Sequence, residues 1–180
     1  MALPTTTLPP AKSKSAPVIF TRIPDKPEEP KDTSTAKFAL QDLVANLELL
    51  YVKAKNFHWN VTGPNFIGLH QTFDGIQDVA LDWADTIAER MRALDIKVDS
   101  RMSTYLKQAW FPEAREEMMQ FEMVKDMVLT LDCISAYLCK AIEKHTFDPV
   151  TENKLQDLCH EISRQNYFVK SNSTMFASTL

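Results

Sequence analysis

Glycine is scarce in this 180-residue chain: there are three, Gly63, Gly68 and Gly75. All-β sandwiches and doubly wound α/β folds use glycine at many reversals, so both are disfavoured. Glycine-rich phosphate loops are also missing. Cysteine is equally sparse. Cys133, Cys139 and Cys159 are odd in number and lack metal-finger spacing, which predicts reduced core thiols in an intracellular protein. No apolar run reaches the roughly 18 residues of a membrane span. Residues 1–11 carry no basic charge before Lys12, and Pro4, Pro9 and Pro10 interrupt any apolar stretch, so no secretory signal is expected and the predicted address is cytoplasmic. An excess of basic charge is absent too. Twenty Lys and Arg face 24 Asp and Glu, a net charge of −4. That argues against a surface built throughout to grip nucleic acid, while leaving room for a local basic arm.

What is present is ordinary for one globular domain: 44% apolar and 24% charged residues, in a chain long enough to bury its own core. Seven of the ten prolines fall within residues 1–32. Proline lacks the amide donor and fixes φ, so this stretch predicts an extended, flexible arm in which a piece such as Val18-Ile19-Phe20 could dock on a neighbour. Residues 33–170 predict a bundle and 171–180 a loose tail. Ala36, Leu40, Leu43, Leu47, Leu50, Ala54 and Phe57 recur at steps of four and three. They predict a first helix over about 34–61, capped by Asp32, Thr33 or Ser34 and ended by Gly63-Pro64. Phe66, Leu69, Phe73, Ile76, Ala80, Trp83 and Ile87 repeat the pattern for a second helix to about Leu94. A short helix is expected at 103–109. A third long helix is expected from Pro112 to about His145, burying Met118, Phe121, Val128, Leu131, Leu138 and Ile142. Asp148-Pro149 reads as an N-cap and first-turn proline for a fourth, about 149–170, burying Leu155, Leu158, Ile162 and Val169. Two short turns and one long connection between the second and third long helices predict an all-α, ferritin-like four-helix bundle whose crossover carries a short helix.

The chemistry-bearing residues concentrate between 58 and 90. His58 closes the first helix. On the second, His70 and Asp74 are i,i+4, as are Asp85 and Glu89. The eleven-residue step between the pairs returns to within roughly 20° of the same face, but separates them by roughly 16 Å along the axis. A metal–ligand bond is about 2 Å long, so one ion cannot touch both pairs. Either the pairs act independently, or two chains pack their second helices antiparallel about a two-fold axis, so that each pair meets the other's complement. The second arrangement is favoured. Gly68 and Gly75 support it weakly, since glycine within a helix is disfavoured by about 1 kcal/mol and a close helix approach would offset that. Imidazole and carboxylate without thiolate suit Fe(II), Mn(II) or Zn(II).

The run His58-Trp59-Asn60-Val61-Thr62-Gly63-Pro64-Asn65-Phe66-Ile67-Gly68-Leu69-His70, followed by Phe73-Asp74-Gly75 and Asp85-Thr86-Ile87-Ala88-Glu89-Arg90, closely resembles the Dps family, the DNA-binding proteins from starved cells or mini-ferritins. The resemblance implies a hollow dodecameric shell with di-iron ferroxidase centres at its two-fold interfaces. His58, His70 and Asp74 would come from one subunit, Asp85 and Glu89 from its partner. Trp59 matches the tryptophan beside the centre, to which radical quenching is ascribed. The implied activity is oxidation of Fe(II) by hydrogen peroxide or O2, storage of ferric mineral and protection of DNA from oxidative damage. Zn or Mn could occupy the same ligands. Iron-entry pores near the start of the last helix make Asp148, Glu152 and Asp157 candidates. Lys12, Lys14 and Arg22 would serve an alternative role, a nucleoid-associated shell that binds DNA without sequence preference. Ordinary ferritins place a Glu-x-x-His set inside each bundle. The nearest stretch here, Asp157-Leu158-Cys159-His160, has the wrong acid.

Overall fold

A computed structural model of the protein describes residues 36–144 and 147–173. Five helices follow one another: α1 (Ala36–Asn60), α2 (Phe66–Ala93), α3 (Met102–Lys107), α4 (Gln120–Lys144) and α5 (Pro149–Ser173). No strand occurs among the described residues. α1 pairs with α2 and α4 with α5. α2 meets α5, α1 meets α4, and α3 lies on α1. This is the four-helix bundle with a long crossover that the periodicity predicts. Asp32, Thr33, Ser34, the arm with Lys12, Lys14 and Arg22, and residues 174–180 lie outside the described residues. No helix among the described residues is long and apolar enough to cross a membrane.

The α1–α2 turn follows from its residues. Gly63 adopts φ 110°, a conformation side chains oppose. Gln120 donates to the Thr62 carbonyl at 2.9 Å, tying this turn to the start of α4. At the far end of α2, Asp95 takes φ 59°. Ile96 N–H then reaches the Met91 carbonyl at 2.9 Å and Asp95 N–H reaches that of Arg92 at 3.0 Å. These are the paired bonds of a Schellman stop, with Asp in the place usually taken by glycine. Asp148 caps α5 as expected, accepting from the N–H groups of Val150 and Thr151.

Leu40, Leu43, Leu47, Leu50, Ala54 and Phe57 of α1 are buried, with Leu69, Phe73, Ile76, Ala80 and Ile87 of α2 and Leu155, Leu158, Ile162 and Val169 of α5. Each large side chain removed from water contributes about 1.5–3 kcal/mol. Three expectations are corrected. First, α1 is not a one-sided stripe. Val44, Ala45 and Asn46 are buried as well, because the crossover covers the second face. Gln41 exchanges two hydrogen bonds with the backbone of Asp99. Asn46 donates to the Gln108 carbonyl and accepts from Trp110 N–H.

Second, α4 starts at Gln120 rather than Pro112. Residues 109–111 are held against α1 by Asn46, and Phe111 is buried there. The first helical turn forms where Glu122 can accept from Met119 N–H at 2.8 Å, the acidic half of a capping box. The buried face of α4 is also shifted. Leu131 and Leu138 are buried as expected, and Met118, Val128 and Ile142 pack partly against the core. Phe121, however, is exposed, while Met123, Met127 and Ile134 lie deep. Asp126 and Thr130 interrupt that face with polar residues, which masks the stripe in the sequence. Third, Cys139 is exposed rather than a core thiol, and Cys133 and Cys159 are half-buried. Burial pushes the Cys133 thiol up to about 11.

Three of the buried polar residues, Lys53, Asp126 and Thr130, form an ionic tie between α1 and α4. Lys53 of α1, 3% exposed, donates to Asp126 at 2.6 Å and to Thr130 at 3.0 Å. Its ammonium lies 5.0 Å from the centre of the Phe111 ring. Burial pulls the lysine down from its ordinary value, and Asp126 opposes that. Removing the acid would strand a buried charge. Asp126→Ala is therefore expected to destabilise the chain by about 3–5 kcal/mol, with Lys53→Met/Asp126→Leu recovering most of the loss in denaturant titration. A loss within experimental error for the single variant would show that the pair is effectively solvated. Burial also raises the Asp42 carboxyl to about 6. The folded chain then holds a proton that the unfolded chain releases at lower pH, so this group's contribution declines as pH rises from about 4 through about 6. Asp42→Asn should gain more stability relative to the parent at pH 7 than at pH 4. Equal differences at both pH values would remove Asp42 from the pH dependence.

Candidate metal centre

Phe57 and Phe73 are both fully buried and pack ring to ring at 5.5 Å between α1 and α2. Each precedes a candidate ligand by one residue, so this contact carries His58 and Asp74 to the same place. Aromatic pairs of this kind contribute about 0.5–1.5 kcal/mol beyond area burial. The rings of His58 and His70 stack at 3.7 Å, and Phe66 lies 5.1 Å from the His70 ring.

The two histidines are tied reciprocally. His58 Nδ1 lies 2.9 Å from the His70 carbonyl oxygen, and His70 Nδ1 lies 2.8 Å from that of His58. A carbonyl oxygen only accepts, so each Nδ1 must carry the proton. In the neutral ring, Nε2 is then the atom that carries the lone pair. Metal-binding imidazoles are commonly oriented this way, one nitrogen donating to the protein and the other facing the ion. Asp74 Oδ1 is 3.5 Å from His58 Nδ1, and the Asp74 side chain is 48% exposed. Its carboxylate therefore remains open to a ligand.

Gln77, which the sequence did not single out, donates from Nε2 to Asp74 Oδ1. It is 5% exposed, and its Oε1 is buried without a partner. Such an unmet acceptor costs about 1–3 kcal/mol. The only signal for it in the sequence is a polar side chain three residues after Asp74, beside the apolar Ile76.

Asp85 and Glu89 lie farther along α2. They are exposed and line an open groove with Ala88, Arg92, Lys97 and Val98. The structure thus brings His58, His70 and Asp74 together and keeps Asp85 and Glu89 apart from them. No group of three or more His, Cys, Asp or Glu among the described residues is placed to hold a metal ion within one chain. The donor set nevertheless suits a divalent ion: two oriented imidazoles, an open carboxylate and a second carboxylate pair on the same helix. Gly75 opens on empty space, consistent with room for a second helix. Gly68 has a different role. A Cβ there would come within 2.7 Å of the Asn65 amide, which donates to Asn172 of α5 at 2.6 Å.

Trp59 is 69% exposed, with Lys55 5.4 Å above its ring. The three pore candidates all have protein partners. Asp148 accepts from Arg90 at 2.6 Å, and that guanidinium helps to hold its carboxyl well below the usual range. Glu152 accepts from Gln156, and Asp157 from Asn153.

The ferritin-like domain family matches residues 37–173. Among similar proteins, a DNA protection during starvation protein of Brevibacillus brevis is 40% identical over 85 residues, covering 47% of this chain and 57% of its own length. General stress protein 20U of Bacillus subtilis is 28% identical, covering 74% of this chain and 93% of its own length. Among solved structures, Dps from Staphylococcus aureus superposes with a TM-score of 0.72 at 30% identity, over 76% of this chain and 93% of that one. Dps from Microbacterium arborescens in its high iron form gives 0.72 at 27% identity, over 82% and 97%.

The reciprocal clamp separates two properties of the histidines. Asparagine places an amide N–H near the position of imidazole Nδ1 but offers nothing at Nε2. His58→Asn/His70→Asn should therefore keep most of the stability lost by His58→Ala/His70→Ala, about 0.5–1.5 kcal/mol per hydrogen bond. Both variants should lose Zn(II) binding in calorimetric titration. Zinc binding retained by the asparagine variant would exclude Nε2 as the ligand atom.

Proposed function

The chain belongs to the Dps family of ferritin-like proteins, and from that premise we propose that it is a mini-ferritin that oxidises Fe(II) and stores the ferric product. The observation that carries this is the division of the candidate ligands between the α1–α2 junction and the far half of α2. His58, His70 and Asp74 form one half-centre, Asp85 and Glu89 form another, and one chain cannot join them. A two-fold pair with antiparallel α2 helices supplies the missing half to each, giving two equal centres. Repeated in a closed shell of twelve chains, the arrangement encloses a cavity for mineral. The M. arborescens relative solved in a high iron form supports iron as substrate.

The roles follow from the side chains. The Nε2 atoms of His58 and His70 would bind Fe(II) through their lone pairs, each ring oriented by the carbonyl that holds its Nδ1. Asp74, Asp85 and Glu89 supply negative charge, which favours Fe(III) over Fe(II). Two Fe(II) and one hydrogen peroxide, with two protons, give two Fe(III) and two water. Both electrons come from iron, so peroxide is not split into hydroxyl radical. O2 is the alternative oxidant. Trp59, exposed one residue from His58, is placed to intercept a stray oxidising equivalent. Asp148, Glu152 and Asp157 stay proposals for iron entry, with Asp148 neutralised by Arg90 in the single chain.

Protection of DNA, the property named in the relatives, then follows from removing both reactants of radical formation inside the cytoplasm. The alternative mode, direct DNA compaction in the nucleoid, is favoured only by the charges of Lys12, Lys14 and Arg22.

Complementation tests the divided centre. His58→Ala/His70→Ala and Asp85→Ala/Glu89→Ala chains should each assemble without peroxide-dependent Fe(II) oxidation. Co-assembled in equal amounts, half of the two-fold pairs are mixed and each mixed pair holds one intact centre, so about a quarter of the parent rate should return. No recovery in shells shown to contain both chains would place the centre elsewhere.

A further inference from the structure

We propose that Gln77 is a positioning residue of the metal centre, fixing one carboxylate oxygen of Asp74 so that the other faces the ion. This rests on Asp74 being a ligand. The amide of Gln77 bonds to Asp74 Oδ1, the oxygen that also lies 3.5 Å from His58 Nδ1. Oδ1 is thereby held from within its own chain. Oδ2 remains on a carboxylate that is 48% exposed at the side-chain level.

The orientation of the amide is dictated by its neighbour. An ionised carboxylate only accepts, so the NH2 group must face Asp74 and the carbonyl must face away. There the carbonyl is buried and finds no donor. Gln77 is thus nearly sealed in the bundle beside Ile76 and Ala80, where an apolar side chain of similar length would leave no group unmet. The one polar bond it makes is to Asp74. A residue serving the fold alone has no use for that bond. A residue serving the centre does, because a ligand carboxylate free to rotate at the helix surface must be ordered again for every ion bound.

This separates stability from metal binding. Gln77→Met keeps the volume, removes the unmet carbonyl and frees Asp74. Its melting temperature should equal or exceed the parent's, and its shell size should be unchanged. Its affinity for Co(II), an air-stable spectroscopic probe, should fall roughly 10- to 100-fold, with a weaker and altered d–d spectrum. Gln77→Leu, which likewise offers Asp74 no donor, should weaken Co(II) binding to a similar extent.

Asp74→Ala serves as the reference. If Asp74→Ala binds Co(II) as the parent does, Asp74 is not a ligand and the centre itself is wrongly assigned. If Asp74→Ala is weakened while both Gln77 variants bind like the parent, the centre stands and the role of Gln77 is overturned. If both Gln77 variants melt lower and bind less in proportion, Gln77 supports the fold rather than the ligand, which also overturns the proposal.

Discussion

The contact between the end of α1 and the first half of α2 sets the rest. Phe57 and Phe73 fix the separation of the two helices at one level of the core. Two imidazole–carbonyl bonds then fix their register, each histidine reading the backbone of the other's helix. Neither device suffices alone. A ring contact tolerates sliding by a fraction of a turn, whereas two opposed hydrogen bonds do not, because a shift that shortens one lengthens the other. The placement of the candidate ligands is therefore a by-product of the bonds that hold the hairpin in register.

In the proposed centre, the same clamp leaves the chemistry to wait for assembly. It occupies the Nδ1 atoms and leaves two Nε2 atoms and one carboxylate, and no three His, Cys, Asp or Glu side chains among the described residues are placed to hold a metal ion within one chain. The complementary carboxylates sit on the same helix but about three turns away. In the proposed centre, ferroxidation is conditional on the oligomer. An isolated subunit with a complete centre would oxidise iron without a cavity to receive the product.

Much of this was legible in the order of residues. The apolar spacing located four helices, Gly63-Pro64 and Asp148-Pro149 located two turns, and the steps between His70, Asp74, Asp85 and Glu89 gave the shared face. What escaped has a common physical origin. Polar side chains that work inside the core carry no period of their own. Gln41 and Asn46 bury a second face of α1 by bonding to the crossover backbone, Asp126 and Thr130 disguise the inner face of α4, and Gln77 lies hidden beside Asp74. The start of α4 escaped for a related reason. Pro112 carries the usual opening signal, but the chain there is already committed to α1, and the helix begins at the next place where a side chain caps it.

The pinned crossover bears on how the chain is made. Of the five helices α1 leaves the ribosome first, yet the partners of Gln41 and Asn46 follow 58 to 64 residues later, and Asp126, the partner of Lys53, 73 residues later. Domains cannot close before their segments are synthesised. Until then α1 has α2 against one face and nothing against the other, and Lys53 must stay hydrated. Of the five helices, α1 is the first to be translated and among the last to be enclosed, so the nascent chain depends longest on protection there.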